Sequence, residues 1–208
     1  GWNDDSLSKK IWYYGKVLKR KATIISLETA PYFYALSENY GSIEEDYLLA
    51  YEEGRLTQTA KKIYETLLEK GILDTISLRK EARLLNAKES QFNRALEDLQ
   101  NDFKIMPVGI AAAGAWKYAF RYDITARHMP GLPEQARKIG EAEARQKLAG
   151  LYYASVGAAP LRNVSKLFGW SPELTRRTMD AMEKKGILMR SSHPRESGEW
   201  LAIPEILK

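Results

Sequence analysis

The chemistry available to this chain lies mainly in its cations. It has 32 Lys and Arg against 27 Asp and Glu, only two His and no Cys in 208 residues. Without Cys there is no disulfide scaffold, no thiolate nucleophile and no thiolate metal site. His128 and His193 stand far apart in sequence, so no metal site is expected. No P-loop, glycine-rich dinucleotide fingerprint or His-Glu-x-x-His stretch occurs. Gly109–Gly114 is an Ala/Gly turn without the Lys-Ser/Thr that a phosphate loop needs. No cofactor is expected. What remains is a set of basic and amide side chains at helix starts and hairpins. Lys88, Gln91 and Arg94 form one group. Arg162, Ser171, Thr175, Arg176 and Arg177 form another. Lys117 and Arg121 lie on one hairpin, and Arg190 and Arg195 flank another, beside His193. Gln and Arg match base edges, while Lys, Arg and Ser take phosphate oxygens. The partner this chemistry implies is double-stranded DNA.

The elements that must position these groups follow from periodicity. Leu7, Ile11, Tyr14 and Leu18 fall on a helical stripe, which predicts a helix over 6–21. Further helices are expected over 30–38 and 43–53. Thr57–Lys70 is helical and stops at Gly71. Ser77 is expected to cap a short helix, Leu78–Leu85, and Glu89–Asn101 forms a third. Strands follow over 104–110 and 116–125. In the second, Trp116, Tyr118, Phe120 and Tyr122 alternate with Lys117, Ala119, Arg121 and Asp123, so the four rings share one face. His128–Pro133 reads as a linker. The pattern then repeats. A helix spans 134–156, a short one 160–168 and a third 172–185, with Ser171 as N-cap and Pro172 in the first turn. Strands at 187–190 and 199–203 enclose a polar tip. The two halves overlay without a gap at an offset of 86, with Gly71 on Gly157, Leu78 on Val164 and Leu96 on Met182.

Helix, helix, helix, strand, turn, strand is the order of a winged helix-turn-helix. The fold class expected is mainly α with small β-hairpin wings, as tandem winged helix-turn-helix domains. The boundaries read as 1–55 for an N-terminal helical region that has room to be a degenerate winged unit, 56–128 for the first unit and 134–208 for the second. In such units the third helix enters the major groove.

The net charge of +5 is unevenly placed. Residues 1–27 carry six bases and two acids, and residues 28–54 carry seven acids and no base. The expectation is that these blocks pair with each other across solvated faces. The longest apolar runs fall well short of the roughly 20 residues of a membrane helix. The opening Gly1-Trp2-Asn3-Asp4-Asp5 is polar and acidic, unlike a secretory leader. A cytoplasmic protein without membrane partner is expected. The oligomeric state is open, and a monomer is compatible with everything in the sequence.

Three stretches carry a family resemblance: Tyr14-Gly15-Lys16-Val17-Leu18, Thr29-Ala30-Pro31-Tyr32-Phe33-Tyr34-Ala35-Leu36-Ser37 and Pro107-Val108-Gly109. They resemble bacterial proteins of the AlkZ (YcaQ) type. The resemblance implies tandem winged helices and DNA glycosylase activity that releases alkylated bases and unhooks interstrand crosslinks. The family signature is Gln-x-Gln or Gln-x-Asp near the N-terminal part. This chain has Ser26-Leu27-Glu28 in that context. Gln100-Asn101-Asp102 fits by letters but lies at the end of a helix. Glu28 is then the catalytic candidate, a carboxylate able to orient water for attack on a glycosidic carbon. The function expected is DNA binding, regulator-like or repair-related. The alternatives are a glycosylase and a protein-interaction scaffold on the same fold.

Overall fold

A hairpin stands where the helical stripe of residues 6–21 predicts a helix. β1 (Trp12–Leu18) pairs antiparallel with β2 (Lys21–Ser26). The same residues satisfy period two: Tyr13, Gly15 and Val17 are buried, while the alternate positions are half-buried. The aromatic run Trp12-Tyr13-Tyr14 and the β-branched run Thr23-Ile24-Ile25 favour strands, and a mid-segment Gly15 disfavours a helix. The computed structural model describes residues 7, 9–113, 117–193, 195 and 197–206. It divides the chain into two compact units, 1–138 and 139–208.

Unit 1 continues with α1 (Ala30–Tyr34), α2 (Asp46–Glu52) and α3 (Gln58–Lys70). A short β3 (Leu73–Asp74) leads into α4 (Thr75–Glu81), followed by α5 (Glu89–Asn101), β4 (Ile105–Ala113) and β5 (Lys117–Ile124). The sheet order is β3-β5-β4. Ile63, Leu67, Leu78, Phe92, Leu99 and Ile105 form its main core, each almost fully buried. Asp74, not Ser77, caps α4: its carboxylate accepts from the amides of Ile76 and Ser77 at 2.9 and 3.0 Å. Ser77 sits one turn in and donates to the same carboxylate. The segment expected as a linker is helical, with α6 (Thr125–His128) and α7 (Gly131–Ala136). Leu132, Pro133 and Ala136 are buried there, which outweighs the turn signal of Pro and Gly.

A second core holds the hairpin to the rest of unit 1. Phe103 is its centre. Its ring stacks on Tyr13 at 4.8 Å and meets Tyr34 edge-on at 5.9 Å. Phe103 follows α5 at φ 54, a left-handed position that glycine usually occupies. The backbone amide of Lys104 donates to the Leu99 carbonyl at 2.9 Å, closing the helix end. Burial of the ring is worth about 2–3 kcal/mol and offsets the backbone cost.

Unit 2 comprises α8 (Glu141–Val156), β6 (Ala158–Pro160), α9 (Leu161–Phe168), α10 (Pro172–Lys184), β7 (Met189–Ser191) and β8 (Trp200–Ala202). Its sheet order, β6-β8-β7, matches that of β3-β5-β4. The two element orders therefore repeat, but the ungapped overlay does not. Leu78 and Val164 correspond at an offset of 86, whereas Phe92, Leu96 and Leu99 match Thr175, Met179 and Met182 three residues earlier. The turn differs. In unit 2 it is closed by Gly169 at φ 74. In unit 1 it runs over 82–88, where Arg79 donates to the carbonyls of Leu84 and Ala87 at 3.2 and 2.5 Å.

The chain is mainly helical with small antiparallel sheets. Among the described residues no helix is long and apolar enough to cross a membrane.

Candidate nucleic-acid interface

The exposed cations nearest to helix starts are best defined in unit 2. Ser171 caps α10, its Oγ accepting from the Leu174 amide at 3.2 Å, and Pro172 occupies the first turn. Arg176 and Arg177 follow within two turns and are exposed. Arg177 makes no ion pair among the described residues, and Arg176 approaches Glu199 only at 3.7 Å. Beside them lies a groove of about 470 Å³, lined by Leu161, Arg162, Lys166, Pro172, Arg176 and Glu199. Arg162 Nη1 donates to the Ser197 carbonyl at 3.0 Å, linking α9 to the loop before β8. Lys166 was not singled out from the sequence. It follows Arg162 by four residues, the helical spacing that puts both on one face.

Two unit 2 candidates are placed differently from expectation. Thr175 is 1% exposed, not surface-facing. It lies on the same stripe as Thr178, Met179 and Met182, and its hydroxyl is satisfied internally. That hydroxyl donates to the Ser171 carbonyl and accepts from Ser165 Oγ at 2.9 and 2.8 Å. Arg190 is surrounded by carboxylates: Asp180 at 2.9 Å, Glu183 at 3.0 Å and Glu199 at 3.6 Å. Its charge is largely compensated by its own unit. Arg195 is exposed near the tip, its amide donating to His193 Nδ1 at 3.2 Å, and His193 stacks on Trp200.

In unit 1 the N-terminal half of α5 is open and the C-terminal half is covered. Lys88 and Arg94 are exposed; Gln91 donates to Thr59 Oγ1 at 3.0 Å, which turns it toward α3. Lys16 of β1 pairs with Glu97 at 2.5 Å, and Arg20 pairs with Asp98 at 2.7 Å. Among the described residues the basic N-terminal block therefore meets acids on α5 rather than those of 28–54. In that block Glu38 and Glu53 both pair with Arg55 instead. Arg121 is exposed on β5. The side chain of Lys117, and Trp116 whole, lie outside the described residues. On the aromatic face, Tyr122 is buried at 6%, Phe120 is half-buried and Tyr118 is 80% exposed, because the core ends before the hairpin does.

Glu28 is exposed in the turn between β2 and α1. The turn is held by Ser26 Oγ donating to Thr29 Oγ1 at 2.9 Å. No hydrogen bond or ion pair engages the Glu28 carboxylate among the described residues. His128 is only 14% exposed, with Nδ1 3.8 Å from Asp123. Burial, reinforced by the nearby Lys10 ammonium, pushes its imidazole below the usual histidine value, and Asp123 opposes this. Arg127 ties the same Asp123 to the Leu67 carbonyl at the end of α3. Among the described residues no group of His, Asp and Glu could hold a metal ion.

The chain is a helical protein with two like arrangements of helices and a small three-stranded sheet, one of them with exposed arginines at a capped helix start. The model of the AlkZ-related family matches residues 1–169, and the chain belongs to that family. Its fold resembles Streptomyces sahachiroi DNA glycosylase AlkZ, with a TM-score of 0.64 and 13% identity, over 98% of this chain and 55% of that one. The chain thus spans about half the length of that protein, and the likeness at this identity is one of fold. No curated protein matches the sequence.

Proposed function

We propose that this protein binds duplex DNA as a repair-related member of its family, using two winged helix-turn-helix units. The observation that carries the reading is the start of α10. Arg176 and Arg177 project from its first two turns, Arg177 is unpaired among the described residues, and Arg162 and Lys166 stand beside them. In a winged helix this is the part of the third helix that reaches base edges, and the neighbouring helix contacts phosphate. The repeated sheet order, β3-β5-β4 and β6-β8-β7, supports the winged-helix assignment for 56–128 and 134–208. The hairpin of residues 12–26 does not support a third such unit in 1–55.

A glycosylase reading draws support from family membership and from the fold of Streptomyces AlkZ. Its candidate residue, Glu28, stands in the family-signature context but faces solvent without a partner among the described residues. A side chain that faces solvent in the DNA-free protein is open to a sugar, so Glu28 is compatible with both readings, and it is the start of α10 that favours binding. One experiment separates the readings. Anisotropy of a labelled duplex at 50–300 mM salt measures binding, and alkylated duplex incubated with the protein is assayed for abasic sites. Salt-sensitive binding without abasic product supports the binder. Abasic product that is lost in Glu28→Ala supports the enzyme. Absence of binding at low salt rejects both.

A further inference from the structure

The tip of the β1–β2 hairpin has a composition its geometry does not favour. A two-residue turn joins Leu18 to Lys21, and both turn residues have positive φ, 52° at Lys19 and 54° at Arg20. Turns of this kind favour Gly, which has no Cβ to crowd the left-handed conformation, and Asn, whose short side chain hydrogen-bonds the local backbone. Here the positions are taken by two long cations, followed by a third. Strained backbone is retained where its side chains do something.

Arg20 shows what that is. Its Nη2 and Nε reach Asp98 Oδ1 at 2.7 and 2.9 Å. Arg94, one turn earlier on α5, reaches the same carboxylate at 3.2 Å. Two guanidinium groups thus converge on one acid, with side chains 41% and 57% exposed, so one charge is left over and several N–H groups still face water. Lys16 compensates Glu97. The ammonium groups of Lys19 and Lys21 have no partner among the described residues, and both residues are exposed. Lys16, Arg20 and Arg94 sit on Glu97 and Asp98, and Lys19 and Lys21 flank Arg20 in the chain. Glu38 and Asp102 line the same pocket as Arg20 and Asp98 but are paired with Arg55 and Lys104.

We propose that this cluster is a phosphate clamp: Arg20 and Arg94, drawn together on Asp98 and flanked in the chain by Lys19 and Lys21, bind a backbone phosphodiester of duplex DNA. The proposal rests on the DNA-binding reading and adds to it a contact in unit 1 that carries no sequence information. A guanidinium presents two parallel donors to a phosphate, and a carboxylate that fixes two such groups in advance lowers the entropy lost on binding. Asp98 is a positioning residue here. An acidic protein surface is the competing partner, and the test decides against one of them.

The test uses the full chain and a labelled 20-base-pair duplex, with anisotropy titrations across salt. Lys19→Asn with Lys21→Gln is the main variant. Asn suits a positive φ, so this variant is expected to melt at or above the wild-type temperature while its binding falls. Each lost phosphate contact removes about 0.9 from the magnitude of the log–log salt slope. The double variant is therefore expected to lose about one to two units of slope and to bind roughly tenfold more weakly at 0.1 M salt. Arg94→Gln, which leaves Arg20 to fasten the hairpin through Asp98, is expected to lose about one further unit. A purely structural hairpin predicts the opposite, binding that follows the melting temperature. An unchanged slope in both variants, with wild-type protein binding normally, overturns the clamp and leaves the DNA reading intact. Wild-type protein that fails to bind duplex at low salt overturns both.

Discussion

Charge at a single residue means little until its partners are known, and Arg190 and Arg177 show the difference. Both are basic and exposed, but Arg190 faces three carboxylates while Arg177 faces none among the described residues. Arg176→Ala with Arg177→Ala is therefore expected to weaken duplex binding by about 1–3 kcal/mol, the size of a lost base or phosphate contact. Arg190→Ala is expected to do less, measured in the same titration, with circular dichroism unchanged in both. His128 supplies a prediction about pH. Its imidazole is held below the ordinary value of 6.5, chiefly by burial. The unfolded chain then binds the proton more readily, so this residue lowers stability as pH falls through about 6.5 and below. Asp74 acts in a lower window: hydrogen bonds from Ser77 hold its carboxyl below the usual carboxylate value, so the stability it contributes is lost as pH falls through and below about 4. Urea midpoints at pH 7.5 and 5.0 measure the first effect. His128→Gln is expected to flatten the difference between them; an unchanged difference would assign the pH dependence elsewhere.

Elements were legible where local signals agreed with burial. Ser171-Pro172 marks the start of α10 in both sequence and structure, and Glu89–Asn101 is the helix its periodicity predicts. The β4–β5 pairing, with Ile105 opposite Ile124 and Ala112 opposite Tyr118, follows from the alternating aromatics. The hairpin of residues 12–26 was not legible, because Leu7, Ile11, Tyr14 and Leu18 satisfy a helical period while the deciding contact, Phe103, lies some 90 residues away. Nothing local marks Phe103, since a non-glycine residue at a left-handed helix end carries no sequence signal. The candidate site was legible as residue types at helix starts, but not in its pairing: Thr175 turns inward and Arg190 is compensated by residues distant in sequence. Two variants test the devices that shape these elements. Gly169→Ala meets no atom within 4 Å, so its cost is purely that of the left-handed backbone, about 1–2 kcal/mol by denaturant midpoint. Phe103→Ala keeps the backbone strain and removes the ring from the hairpin core, so about 3–5 kcal/mol is expected. A loss below 1 kcal/mol for Phe103→Ala would mean the hairpin is fastened mainly by Lys16 and Arg20.

At the scale of the molecule, a net charge of +5 understates how strongly the chain can engage a polyanion. The exposed acids Glu44, Glu45, Glu52 and Glu53 cluster on and around α2, which leaves the cations concentrated elsewhere. On the proposed DNA-binding reading, a duplex is expected to avoid the α2 face and to meet the cations Lys19 and Arg94 of unit 1 or Arg162, Arg176 and Arg177 of unit 2. If these groups neutralise about five phosphates, counterion release sets a log–log salt slope of roughly −4 to −5 for the wild-type chain. The slope is a count of contacts, whereas affinity at one salt concentration mixes contacts with specificity. The two measurements together divide the work between the units. If α10 is the reading helix proposed above, variants of its arginines are expected to change affinity for one duplex sequence more than another. Variants of the hairpin tip are expected to weaken all duplexes equally. A slope shallower than about −2 would mean that fewer phosphates are contacted than these side chains offer. Equal loss for every sequence in the Arg176→Ala, Arg177→Ala protein would make α10 a phosphate contact and not a reading helix.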